Sequence, residues 1–144
     1  MSEKLLLGRF RNLGLLGEGS TGKVYRVIDT STDQTIALKI LRPEITRRVG
    51  LQRFRRQFLL IAQLSHPAVL PVLDMGKDEG DVWLTSKLLQ GDTLSNVKLP
   101  LTPEKTAKFI LEIAYGLEFI HAHGIIHLDL KPSNIFISEE KPLL

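Results

Sequence analysis

No cysteine occurs in the 144-residue chain. That excludes disulfides, thiolate metal sites and cysteine nucleophiles, and it fits a reducing compartment. No apolar run approaches the length of a membrane span, and the opening Met1 to Leu7 lacks the long apolar core of a secretory signal. The expectation is a cytoplasmic protein without membrane contact. Repeats and low-complexity tracts are absent. Charge of one sign is scarcely in excess: 19 basic against 16 acidic residues leave a net charge of +3, too mild to argue for nucleic acid or a membrane surface. The basic residues are uneven, because Arg42, Arg47, Arg48, Arg53, Arg55 and Arg56 fall within one short stretch. The one aromatic residue among them, Phe54, belongs to the inward helix face and makes no nucleic-acid platform, so a solvated helix face is the favoured reading for the arginines.

What is present reads as strands, a helix, strands and then helices. Phe10 to Leu16 leads into the glycine cluster Gly17, Gly19 and Gly22, and Val24 to Ile28 follows as a second strand. Thr35 to Leu41 is a third, ended by Pro43. A helix is expected over Leu51 to Leu64, with Phe54, Gln57, Phe58, Ile61 and Leu64 on one face. Val69 to Leu73 and Val82 to Leu89 are two more strands, joined by a turn through Gly76 and Gly80. Thr102-Pro103-Glu104 opens a long helix with Ile110, Ile113, Leu117 and Ile120 inward, and Gly124 ends it. The fold class is therefore α+β, with a boundary near Gly91.

Three stretches carry chemistry. Gly17-Glu18-Gly19-Ser20-Thr21-Gly22-Lys23-Val24 has the spacing G-x-G-x-x-G-x-V. Glycines let a backbone approach phosphates without a Cβ in the way. A dinucleotide fingerprint shares the spacing but opens a helix, whereas a strand follows here; an ordinary glycine-rich turn stays open beside a phosphate clamp. Ala37 and Lys39 share one face of their strand, and Ile36, Leu38 and Ile40 the other. A lysine in that alternation suits a phosphate, although an edge lysine facing water has the same pattern. His127-Leu128-Asp129-Leu130-Lys131-Pro132-Ser133-Asn134 places a carboxylate, an ammonium and an amide in one loop. Such groups can orient a hydroxyl, neutralise phosphate and ligate a metal, or simply hold a polar loop by Asx-type bonds.

The three motifs in this order resemble eukaryotic-type protein kinases; Asp129 to Asn134 resembles the serine/threonine branch, and His66 to Leu70 with Leu89 to Leu94 resembles the bacterial kinases of that branch. The resemblance implies a five-stranded antiparallel N-lobe sheet with one helix over residues 1–90. Residues 91–144 would be a partial helical C-lobe with two helices, the catalytic loop and the following strands. It implies ATP and Mg²⁺ as cofactors and a protein substrate or binding partner. Gly17, Gly19 and Gly22 would cover the phosphates and Lys39 would touch them. Leu16, Val24, Ala37 and Phe136 would enclose the adenine, with Ser86 behind it and Lys87 and Leu89 offering backbone hydrogen bonds. Asp129 would orient the substrate hydroxyl, Lys131 would steady the γ-phosphate, and Asn134 would bind Mg²⁺.

Three departures from that pattern bear on activity. Gln57 stands where the family places the glutamate that pairs with the strand lysine. Leu128 replaces an arginine that meets a phosphorylated activation loop. No Asp-Phe-Gly follows within the sequence, so the expectation is a domain cut before its principal metal ligand. A pseudokinase-like module that acts by nucleotide binding or protein contact is the alternative to an enzyme. An apolar helix stripe without its covering helices also implies association, including homo-oligomers.

Overall fold

Alternation along one strand organises the larger sheet. The structure, a computed structural model, describes residues 5–127 and 129–144. In β3 (Gln34–Leu41) Ile36 and Leu38 are buried while Ala37 and Lys39 are half-buried on the opposite face. β3 pairs antiparallel with β2 (Gly22–Asp29) and β5 (Asp81–Lys87); β1 (Phe10–Glu18) and β4 (Val72–Asp78) complete the order β1-β2-β3-β5-β4. Phe10, Val27, Ile36, Leu38 and Trp83 form the core beneath this sheet, with Leu6, Leu7, Tyr25 and Ile40 packed against it. Phe10 meets the Trp83 ring edge-on, with centroids 5.1 Å apart, and is wholly buried. Truncating such a ring to alanine costs about 3–5 kcal/mol.

Helix α1 (Pro43–Val49) was not expected. Pro43 occupies its first turn, Glu44 complements its N-terminal end, and Arg47 and Arg48 its C-terminal end. Gly50, at φ 79°, separates it from α2 (Leu51–Ala62). β4 starts later than Val69 and continues through Gly76, because Gly76 pairs with Trp83 and lies against its indole ring. The turn is left to Glu79 and Gly80, both with positive φ.

The chain divides into two compact units, Met1–Ala62 with Pro71–Leu88, and Gln63–Leu70 with Leu89–Leu144. In the second, α3 (Pro103–Ala122) starts where Thr102 Oγ1 accepts from the Lys105 amide. Between Thr93 and Thr102 the chain makes one 3₁₀ turn, Leu94–Asn96, where a further helix was expected. β6 (Asp92–Thr93), β7 (Phe136–Ser138) and β8 (Lys141–Leu143) form a small antiparallel sheet. The buried stripe of α3 is Phe109, Gly116 and Ile120, not one through Ile110, which is 62% exposed. The shift follows from Gly116, which lets Ala68 and Leu144 come close. Backbone bonds from Leu70 N to Leu144 O and from Leu144 N to Ala68 O tie residues 63–70 to this unit.

One polar cluster locks the N-terminal edge of the first unit. Arg9 donates Nε and Nη2 to both carboxylate oxygens of Asp29, at 2.8 and 2.6 Å, and Nη1 to Asp74 at 2.7 Å. Asp29 is buried and also accepts from the Ser31 amide and hydroxyl. The Arg9 guanidinium, and then Ser31, hold the Asp29 carboxyl below the usual carboxylate range against the opposing effect of burial. Replacing Asp29 by alanine removes two of the three guanidinium bonds and leaves Asp74 as the remaining partner. The expected loss is about 2–3 kcal/mol, under the figure for a wholly buried pair because Arg9 is partly exposed. An unfolded aspartate titrates near pH 4. Since the folded value is lower, the stabilisation is complete above roughly pH 4 and is lost as pH falls below it. Urea melts of the wild type and Asp29→Ala should differ most at neutral pH, and the difference should narrow progressively as pH falls below about 4.

Candidate functional site

The first unit carries one group of site residues. β1 and β2 turn through residues 19–21, where the Gly19 amide donates to the Gly22 carbonyl at 2.9 Å. A Cβ on Gly22 would run into the Ile40 carbonyl of β3, so packing demands glycine there. Gly17 and Gly19 differ. Neither has left-handed backbone, and a Cβ on either would meet nothing within 4 Å. The chain itself does not require glycine at those positions; open space over a bare backbone is what an approaching ligand would use.

Register places the other residues of this group. Gly17 pairs with Val24, Val24 with Lys39, and Lys39 with Leu84. Residues paired across antiparallel strands share a face, so Val24 and Lys39 stand side by side next to the glycine turn. Ala37 lies on that face, paired with Arg26 and Ser86. Ser86 is buried; Lys87 and Leu16 are exposed. Gln57 is exposed, at the flank of the half-buried stripe Phe54, Phe58 and Ile61 rather than within it.

Arg42 is a member of this site that the sequence did not single out. Its amide donates to Thr21 O at 3.0 Å, its Nε to Gly19 O at 3.1 Å and its Nη2 to Glu18 at 2.9 Å. It thus pins the glycine turn from the end of β3. Its only sequence signal was membership of an arginine-rich stretch.

The second unit carries Leu89, the loop residues Asp129, Lys131 and Asn134, and Phe136. Leu128 lies outside the described residues. Asn134 Nδ2 donates to both the Asp129 carbonyl and its Oδ2, at 2.9 and 2.8 Å. Lys131 Nζ sits 3.0 Å from the same Oδ2. The Asp129 amide donates to the His127 carbonyl at 2.9 Å. Lys131 first, and then Asn134, hold the exposed Asp129 carboxyl below its ordinary value. Pro132–Asn134 is a 3₁₀ turn and Ile135, just beyond it, is buried, which anchors the loop. Phe136 pairs with Thr93 of β6 and Leu143 of β8. With its amide nitrogen committed to Asp129, Asn134 retains a free-standing oxygen suited to a hard cation. Through that oxygen Asn134 fits as one contributor to a cation site; no cluster of three His, Cys, Asp or Glu side chains occurs among the described residues.

A family model described as protein kinase domain matches residues 10–143. The chain belongs to the protein kinase family. This kinase domain is 36% identical over 138 residues to the serine/threonine-protein kinase pkn2 of Myxococcus xanthus, covering 94% of this chain and 17% of that one. It is 37% identical to the DNA damage-responsive serine/threonine-protein kinase RqkA of Deinococcus radiodurans, covering 94% of this chain and 21% of that one. A crystal structure of a mutant of the Mycobacterium tuberculosis PknI kinase domain superposes with TM-score 0.85 at 26% identity, over all of this chain and 61% of that one. The domain is thus of the bacterial serine/threonine type, and it spans about a fifth of these two curated relatives. No helix among its described residues is long and apolar enough to cross a membrane.

Loss of the Arg42 clamp should loosen the glycine turn without unfolding the sheet. In Arg42→Ala, amide hydrogen exchange at residues 19–21 is expected to rise. Global stability should fall by about 1 kcal/mol or less, since the ion pair is exposed. Unchanged exchange at the turn would remove Arg42 from the site.

Proposed function

We propose that this domain binds ATP through the glycine turn and Lys39, and that in a complete protein it transfers the γ-phosphate to a serine or threonine hydroxyl. The observation that carries the reading is the loop in which Asp129, Lys131 and Asn134 are bonded together with the carboxylate kept ionised. An ionised carboxylate can accept a hydrogen bond from the incoming hydroxyl and take up its proton as the oxygen attacks. The hydroxyl oxygen bonds to the γ-phosphorus while the bond to the bridging oxygen breaks, and ADP leaves with that electron pair. Lys131, beside the same carboxylate, offsets charge on the transferred group, and Lys39 does so on the α- and β-phosphates. A bound Mg²⁺ would supply further neutralisation of the phosphates, with the Asn134 oxygen among its ligands.

A second reading rests on α2. No acidic residue occurs between Leu51 and Ala62, so this helix offers Lys39 no carboxylate. A nucleotide-binding or protein-contact module without catalysis is the consequence if that pairing is indispensable.

ATP should raise the melting temperature of the chain, more so with Mg²⁺. Lys39→Ala should weaken ATP by roughly ten- to a hundredfold, the equivalent of about 1.5–3 kcal/mol for a charged hydrogen bond. No shift under either condition would defeat the nucleotide assignment. Phosphate transfer from labelled ATP to a basic protein should stay near background for this chain. Turnover above background that Asp129→Asn abolishes would establish catalysis and discard the second reading. Ile110, Leu111 and Tyr115 lie exposed on α3. The chain is therefore expected to self-associate, seen as a rise in mass with concentration by light scattering.

A further inference from the structure

Positive charge is concentrated on two helices that take no part in the nucleotide reading. Residues 43–62, which make up α1, Gly50 and α2, hold five arginines against one glutamate, a net +4 where the whole chain carries +3, so the rest of the chain is slightly negative. Arg47, Arg48, Arg53, Arg55 and Arg56 are all exposed, and none forms an ion pair among the described residues. Arg47 and Arg48 have a local reason, since cations favour the C-terminal end of α1. Arg53 and Arg56 have none. Arg53 lies in the first turn of α2, where a cation opposes the helix dipole, and the two are like charges three residues apart. An anionic neighbour would relieve both conflicts.

α2 has two faces of different character. Phe54, Phe58 and Ile61 are half-buried and recur at three- and four-residue steps, so they mark the side that meets the protein. At about 3.6 residues per turn, Arg53, Arg56 and Leu60 fall on the opposite side and recur at the same steps. Leu60 is 46% exposed and its neighbour Leu59 60%. No acidic residue occurs on α2. An exposed leucine alone is ordinary. A leucine set among unpaired arginines, on a face turned from the core, has the composition of a helix that lies on lipid.

We propose that the outward face of α2, together with Arg47 and Arg48 of α1, is a docking surface for an anionic phospholipid membrane. The guanidinium groups pair with lipid phosphates, and Leu60 enters the boundary between headgroups and acyl chains. Arginine suits that depth, because its apolar stem lies along the boundary while its charged end stays among the headgroups. Nucleic acid would engage the same charges but leave Leu60 in water. The one aromatic residue among the arginines, Phe54, belongs to the half-buried stripe and is not offered to bases. A protein partner would need a cavity shaped to Leu60, whereas a fluid lipid surface needs none. The contact is peripheral, since no helix among the described residues is long and apolar enough to cross a membrane. The expectation of a chain without membrane contact followed from its overall charge, which averages this patch away.

The test floats the 144-residue chain with lipid vesicles through a density gradient, which keeps self-associated protein out of the bound fraction. Vesicles of phosphatidylcholine alone are compared with an equal mixture of phosphatidylcholine and phosphatidylglycerol. Partitioning onto the mixed vesicles is expected to exceed that onto the neutral ones by at least about tenfold, and to fall as salt rises. The double variant Arg53→Ala, Arg56→Ala should lower it by at least about tenfold, since each arginine near an acidic surface counts for about fivefold. Leu60→Ser should lower it by about three- to tenfold. The melting temperatures of both variants, with and without ATP, should stay close to the parent's, which separates this surface from the nucleotide site and from the fold. Failure to float with the mixed vesicles, or equal partitioning onto both kinds, would overturn the proposal. So would partitioning indifferent to Leu60→Ser, or complete release from the vesicles by single-stranded DNA of matched charge, since either makes the surface a general polyanion binder.

Discussion

The two-residue period of β3 is the constraint on which the first unit rests. Ile36 and Leu38 belong to the core, and Ala37 and Lys39 to the opposite face. A slip of one residue against β2 or β5 would bury the Lys39 ammonium and expose two core side chains, a double penalty that defines the register strongly. Because the register is defined, Gly17, Val24 and Lys39 come into line on successive strands. Core packing on one face thereby sets the geometry of the other. The Arg9–Asp29–Asp74 cluster closes the same sheet at its edge, joining the segment before β1 to β2 and β4.

The loop residues of the second unit follow a different physical logic. Asp129, Lys131 and Asn134 are all exposed, and their mutual bonds, not burial, hold their arrangement. Exposed bonds of this kind contribute little to stability. Their effect is to preorganise charge, as the proposed phosphoryl-transfer role requires. The loop is anchored instead by the buried Ile135 and by β7 in the small sheet.

Much of this was legible in the residues. The five strands, the long helix capped by Thr102 and the serine/threonine kinase resemblance rest on local signals, namely alternation, capping chemistry and motif spacing, and the antiparallel pairing of the strands was implied by that resemblance. Two of the misjudged features depend on a distant partner, and two on local signals that point both ways. Pro43 reads as a strand terminator, yet with Glu44 and Arg48 it also begins a helix. Gly76 reads as a turn glycine but is covered by Trp83 from the neighbouring strand. The α3 stripe turns away from Ile110 because Gly116 admits Ala68 and Leu144. Gln57 lies at the edge of a helical face, where periodicity alone does not decide between inside and outside.

By itself the sequence determined which side chains alternate, where α2 and α3 begin, and which loop holds carboxylate, ammonium and amide together, because each depends on neighbours within a few positions along the chain. Tertiary structure decided the rest. It made Gly22 obligatory against Ile40 while leaving Gly17 and Gly19 sterically unconstrained, and it brought Arg42 back onto the glycine turn. It also set Leu51, Phe58 and Leu59 against β4. These are contacts between segments far apart in the chain, and no local preference specifies them.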